Sequence, residues 1–181
     1  MATRELKLIG WGYEGDGITD VERQLVTSRM CERFGGEFEI CKAPGEDAIE
    51  LHEPRLSVPA ELSAFATSSK RDRLLHTYGK SYPDYVRQFL GDYRNAPDLV
   101  AYARSEADIT AVFEHAVRAN VAVIPFGGGT SVCGGVEPAV GSTFNGTISL
   151  DLTPLDRVLE VDKSSRAARI QGGIRVPALE N

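Results

Sequence analysis

The residues best placed to do chemistry are concentrated in residues 125–135, PFGGGTSVCGG, which hold five glycines within nine residues. Glycine lets a ligand touch the main chain directly, and successive backbone amides can converge into an anion-binding nest. Thr130 and Ser131 add hydroxyl donors in the same turn, so diphosphate oxygens could be held there without any Lys or Arg. Spacing alone leaves two readings open: a cofactor-binding loop, or a flexible crossover between subdomains.

Two familiar phosphate loops fail on spacing. Gly79-Lys80-Ser81 ends like a Walker loop, but Leu74 stands where its first glycine is required. A nicotinamide fingerprint starting at Gly127 needs its last glycine where Val132 stands, and no amphipathic helix opens directly behind it. The histidines are His52, His76 and His115. His115 falls within an amphipathic helix and reads as structural, while His76, in HTYGKSY, is the one weighed as lying near a site. The three cysteines, Cys31, Cys41 and Cys133, lack the CxxC spacing of a zinc site and read as reduced, buried small hydrophobes. No metal-ligand set and no catalytic residue is assigned.

The elements that must position the glycine loop can be read from residue 97 onward. Residues 99–103 form a short strand candidate, and Ser105 with Asp108 caps a helix. Ile109, Val112, Phe113, Ala116 and Val117 make its apolar stripe, and residues 121–124 (VAVI) form a second, fully apolar strand. This is a βαβ unit, with the glycine loop at the carboxyl end of its second strand. Residues 147–152, 158–161 and 167–171 read as further strands of antiparallel character, so the fold class is α+β. Asn145-Gly146-Thr147 reads as a turn, and residues 174–181 as the start of a helix with Pro177 in its first turn.

Upstream, Thr19 with Glu22 forms a capping box for a helix running to about Phe34 and stopping at Gly35-Gly36. Residues 40–56 read as a loop. Ser81 and Asp84 cap another helix, whose face of Val86, Phe89, Leu90 and Tyr93 is expected to pack on something larger. The expected organisation is a mainly helical region over 1–96 and a separate domain from 97–181.

At 181 residues, 42% hydrophobic and with net charge −6, the chain has the composition of a soluble globular protein, and nucleic acid is an unpromising partner. The sequence carries no apolar run of membrane-span length and no secretory signal, which leads to the expectation of a cytoplasmic protein.

With these residues in view, the segment 98–179 resembles the flavin-binding (PCMH-type) domain of the vanillyl-alcohol oxidase type. PDLVAYARSEADITAVFEHAVRANVAVIPFGGGTSVCGG followed by ISLDLTPLDRVLEVDKSSRAARIQGGI keeps that family's order. Within the superfamily the chain is similar to the alkyldihydroxyacetonephosphate synthases and their bacterial relatives, through LKLIGWGYEG at 6–15, HTYGKSYPD at 76–84 and the GGGTSV form of the loop. The resemblance implies an FAD-dependent enzyme of ether-lipid synthesis, exchanging acyl for fatty alcohol on acyl-dihydroxyacetone phosphate. FAD-linked D-2-hydroxy-acid dehydrogenases, and an inactive fragment or interaction module, are the alternatives. It also implies that Phe126, Gly127, Gly128, Gly129, Thr130, Ser131, Val132, Gly134 and Gly135 hold the FAD diphosphate, with Cys133 at the loop's exit. The loop lacks the histidine of covalent relatives, so noncovalent FAD is expected. Further implications are a small-molecule or lipid substrate, peripheral membrane contact, a homodimer, and acid-base residues lying downstream, which leaves this stretch alone inactive.

Overall fold

The computed structural model describes residues 5–38 and 40–180. Helix α1 (Asp20–Phe34) starts at the capping box read from sequence: Glu22 N donates to the Thr19 hydroxyl and Thr19 N to the Glu22 carboxylate at 2.7 Å. It ends at Gly35 and buries none of its residues; Val21, Leu25, Val26, Met30 and Phe34 stay exposed. Residues 40–56 are largely irregular, with one 3-10 turn at Glu46–Ala48, yet they contribute Ile49 to a buried cluster with Leu74, Tyr78 and Tyr93.

Two short helices follow, α2 (Lys70–Leu75) and α3 (Tyr82–Phe89). The Ser81–Asp84 capping box opens α3 as expected, but the helix turns the other way round. Of the expected face only Tyr93, beyond the helix, is buried; Val86, Phe89 and Leu90 face solvent, whereas Asp84 and Gln88 are buried. The reason lies in the cap itself, which commits Asp84 to the Ser81 amide and to Arg87 at 2.8 Å. Arg87 in turn lies over the Tyr78 ring at 4.5 Å and reaches Glu137 at 2.7 Å. A carboxylate satisfied this fully can be buried, and it takes its face of the helix inward with it.

The main sheet holds β1 (Ala66–Thr67), β2 (Leu99–Tyr102), β3 (Val121–Phe126) and β4 (Gly146–Asp151) in the order β1-β2-β4-β3. Strands β2, β4 and β3 are mutually parallel, and β1 pairs antiparallel with β2 at the edge. Helix α4 (Glu106–Ala119), capped by Ser105 and ended by Asn120 in the left-handed region, joins β2 to β3. The βαβ unit is therefore present, but its strands are not neighbours. Residues 147–152 give the parallel strand inserted between them rather than an antiparallel one. Every residue of β4 is buried, as parallel strands covered on both faces are. Asn145-Gly146-Thr147 leads into this strand, with the Asn145 amide held by the Ala119 carbonyl at 2.7 Å.

The core under the sheet is built from Leu62, Leu99, Ala101, Ala103, Val112, Ala116, Val121, Ile148 and Leu150. From the stripe on α4, Val112 and Ala116 reach it while Phe113 and Val117 remain exposed. Among the described strands, antiparallel pairing is confined to β1 and to the hairpin β5 (Val158–Asp162) with β6 (Ala167–Ile170), all of whose residues are exposed. Helix α5 (Val176–Glu180) follows; Asn181 lies outside the described residues. The region before residue 97 thus supplies an edge strand and Leu62 to the same sheet and core. Among the described residues no helix is long and apolar enough to cross a membrane.

Candidate cofactor site

Tyr102, Asp151 and Phe126 end β2, β4 and β3 and share one row of the register. All three open into a cavity of about 570 Å³, within the range of small-molecule sites. Parallel sheets bind ligands beyond the carboxyl ends of their strands, which is where this cavity lies.

The glycine loop forms one wall through Phe126, Gly127, Gly128, Gly129 and Thr130. Gly129 has φ +64°, and a Cβ there would stand 2.6 Å from the Phe126 ring, so the loop folds back over Phe126. A Cβ on Gly127 or Gly128 meets only open space or the Thr130 methyl at 3.5 Å, leaving that stretch of main chain bare toward the cavity. Ser131, Val132, Gly134 and Gly135 fall outside the wall. The Ser131 carbonyl accepts from Lys80 N at 2.7 Å and its hydroxyl from Gly135 N at 3.0 Å, so Ser131 fastens the loop rather than facing the cavity. Val132 is exposed, as is Cys133; of the other cysteines Cys41 is exposed and Cys31 half-buried, so the expectation of three buried thiols is corrected. Sitting in solvent-facing turns and on an uncovered helix, none of them has a core to enter.

Two further motifs singled out in the sequence reach the same cavity. The N-terminal arm contributes Leu6, Lys7, Leu8, Gly10, Trp11, Gly12 and Tyr13. The arm is a tight turn closed by a bridge between Leu6 and Tyr13, held by Arg71 to the Leu6 carbonyl at 3.0 Å and to Glu5 and Glu46. From HTYGKS come His76, Tyr78 and Lys80. Lys80 Nζ donates to the Gly10 carbonyl at 2.8 Å and sits 5.8 Å from the Trp11 ring centre. Burial pushes its ammonium below the ordinary lysine range, with the charge of Asp84 acting in the opposite direction. The cavity is closed off by Gly172, Gly173, Ile174 and Arg175 after β6.

Among the described residues, Lys7, Lys80 and Arg175 line the cavity against one carboxylate, Asp151. The loop itself carries no Lys or Arg, and the cations of the cavity arrive from segments distant in sequence. Sequence reading weighed His76 and missed Asp151, Tyr102 and these three cations. Asp151 left one signal, a carboxylate at the end of an otherwise uncharged strand. His52 and His115 lie elsewhere: His52 Nε2 meets the Ala96 carbonyl at 3.2 Å, and His115 Nδ1 meets Glu61 at 3.2 Å, tying α4 to the turn at Ala60–Leu62.

Bare main chain on a loop after a parallel strand, ringed by cations, fits a dinucleotide diphosphate. Comparison with known proteins agrees: residues 97–181 match the family described as FAD binding domain. The match covers a little under half of the chain. Beyond the FAD binding domain, the chain is 31% identical over 205 residues to alkyldihydroxyacetonephosphate synthase of Trypanosoma brucei brucei, covering 99% of this chain and 33% of that protein. The synthase of Dictyostelium discoideum is 38% identical over 125 residues, 66% of this chain and 20% of its own length. A solved structure of an alkyldihydroxyacetonephosphate synthase superposes with a TM-score of 0.82 at 28% identity, over 97% of this chain and 36% of that one. The chain spans a fifth to about a third of the length of the curated relatives it matches. Its mixed helix and strand fold is that of a partial FAD binding domain.

Proposed function

We propose that this chain is the FAD-holding part of an enzyme similar to alkyldihydroxyacetonephosphate synthase, which exchanges the acyl chain of acyl-dihydroxyacetone phosphate for a fatty alcohol. One observation carries the reading: LKLIGWGYEG, HTYGKSY and the glycine loop, three separate motifs, converge on one cavity, and the similarity to the trypanosomal synthase runs through all of them. In it, Gly127, Gly128, Gly129 and Thr130 present backbone amides and a hydroxyl to the diphosphate of FAD. Ser131, Val132, Gly134 and Gly135 shape the loop behind them, and Lys80 and Arg175 balance the charge. Bound FAD would supply an electrophilic ring for the reacting substrate. The N-terminal arm covers the site and excludes water, and the groups that move protons belong to parts of the enzyme beyond this chain.

Further parts of the reading are a domain division near residue 97, noncovalent FAD and a cytoplasmic setting, the last suited to three free cysteines. A homodimer and peripheral membrane contact belong to the same reading, with the exposed apolar side chains of α1 as the surface offered to a second copy.

The test is the visible spectrum of the purified full-length protein before and after denaturation, with Gly128→Val beside it. Flavin bands that pass into the filtrate on unfolding are expected. A Cβ at residue 128 enters the bare stretch of loop, so Gly128→Val is expected to lower FAD affinity about tenfold or more, the equivalent of one charge-assisted hydrogen bond, at unchanged stability. A colourless, well-folded protein overturns the reading. Exchange of labelled fatty alcohol without oxidant then supports the synthase, whereas bleaching of the flavin by a D-2-hydroxy acid replaces it with a dehydrogenase.

A further inference from the structure

His76 lies against the last row of the parallel sheet and touches each residue in it. Its ring is 4.3 Å from the Phe126 ring and meets Tyr102 edge-on at 5.6 Å, and its Nε2 lies 2.8 Å from Asp151 Oδ2. Its Nδ1 lies 2.7 Å from the carbonyl of Asp72, in the first turn of α2. Tyr102 closes the ring of contacts with its hydroxyl on the Asp72 carboxylate at 2.6 Å, and burial together with that carboxylate pushes the tyrosine hydroxyl far above its ordinary range. His76 and Asp151 are both about 4% exposed, and both border the cavity.

The protons of this network follow from its geometry. The Asp72 carbonyl only accepts, so Nδ1 carries a hydrogen. Between Nε2 and the Asp151 carboxylate a second proton is required, and on whichever partner it sits, the pair is net neutral. Asp151 Oδ1 is separately occupied by Thr153 N at 2.7 Å. The carboxylate that the described residues bring to the cavity is therefore cancelled by a histidine behind it. The same ring supports Phe126, over which Gly129 makes its left-handed turn.

We propose that His76, paired with Asp151, is the positioning residue of the diphosphate loop: it neutralises the cavity's carboxylate and props Phe126 beneath Gly129. The proposal rests on the reading of this cavity as the FAD site. Without His76, a bare carboxylate would face an anionic diphosphate in a partly desolvated space, where like charges repel strongly.

The experiment titrates FAD into the full-length apoprotein by flavin fluorescence, with apoprotein melting curves as the measure of folding. His76→Phe keeps a ring against Phe126 but removes the proton, and is expected to weaken FAD about tenfold or more. His76→Phe combined with Asp151→Asn removes the carboxylate as well and is expected to recover most of that loss. His76→Gln, which can still donate to Asp151 but leaves its charge uncancelled, should weaken FAD as His76→Phe does, and is likewise expected to recover when Asp151→Asn is added. Recovery through a second substitution is something a merely structural histidine would not give. Wild-type affinity in His76→Phe, or a double variant no better than the single, overturns the proposal while leaving the FAD site standing. Where His76→Phe does not fold, His76→Asn, too short to reach Asp151, takes its place with the same expected loss, and wild-type affinity there overturns the proposal equally. A wild-type protein that binds no FAD overturns both this proposal and the function it rests on.

Discussion

Gly79 has a severe steric requirement beside the site. A Cβ on it would overlap the Ser131 carbonyl, the same oxygen that accepts from Lys80 N at 2.7 Å. The HTYGKS segment can lie against the glycine loop only because residue 79 has no side chain. Gly79→Ala is therefore expected to push the loop off its seat. The cost is about 1–3 kcal/mol of overpacking, with FAD affinity lower by about tenfold. Gly135→Ala, whose Cβ meets only the Ser131 hydroxyl at 3.4 Å outside the cavity, should hold FAD as wild type does. Fluorescence titration of the two variants checks the pair, and equal affinities would show that the seat is not needed. At this scale the sequence was partly readable. Glycine density marked the loop, because that signal is local. Gly79 registered only as the end of a failed Walker loop, since its meaning lies in contact with a distant segment. His76, Asp151 and Lys80 were invisible as a group for the same reason.

Helix starts were legible because a capping box is written within four residues, and Thr19, Ser81 and Ser105 all cap where their spacing says. Strand partners were not. Residues 147–152 read as a strand, but nothing in their alternation says that β4 slots between β2 and β3, because parallel order is decided by long-range burial. The face of α3 was misread for a related reason: periodicity counts apolar residues and does not see that Asp84 is satisfied by Ser81 and Arg87. The insertion of β4 places Ile148 at 0% exposure, in register with Leu99 on one side and Val123 on the other. Ile148→Ala removes buried methyl groups from the middle of the only extended sheet and is expected to cost about 3 kcal/mol. Urea unfolding measures it, and a loss below about 1 kcal/mol would mean that β4 is not the central strand.

Across the molecule, the join between the N-terminal region and the sheet is made by Asp98, fully buried just before β2. Its carboxylate accepts from Arg55 N at 2.7 Å, from the Arg55 guanidinium at 2.7 Å and from Thr147 N at 2.7 Å. One oxygen pair thus links the irregular segment after Ile49, the start of β2 and the start of β4. Burial alone would raise this carboxyl, but the hydrogen bonds from Arg55 and Thr147 outweigh it and hold the group below the usual carboxylate range. The sign follows from linkage. A folded-state pKa lower than the unfolded one means stability that is fully present above about pH 4 and is lost as pH falls through the folded value. Asp98→Asn removes this contribution and leaves a neutral amide opposite donors that prefer an anion. It should cost about 2–3 kcal/mol at neutral pH. Below about pH 4 the variant should also lose stability less steeply than wild type, so the two curves converge in acid. Urea midpoints taken from neutral pH down to about pH 3 give both quantities at once. Curves that stay parallel would place the acid sensitivity in other carboxylates, and a neutral-pH loss near zero would mean that the N-terminal region is joined to the sheet by packing of Leu62 and β1 alone.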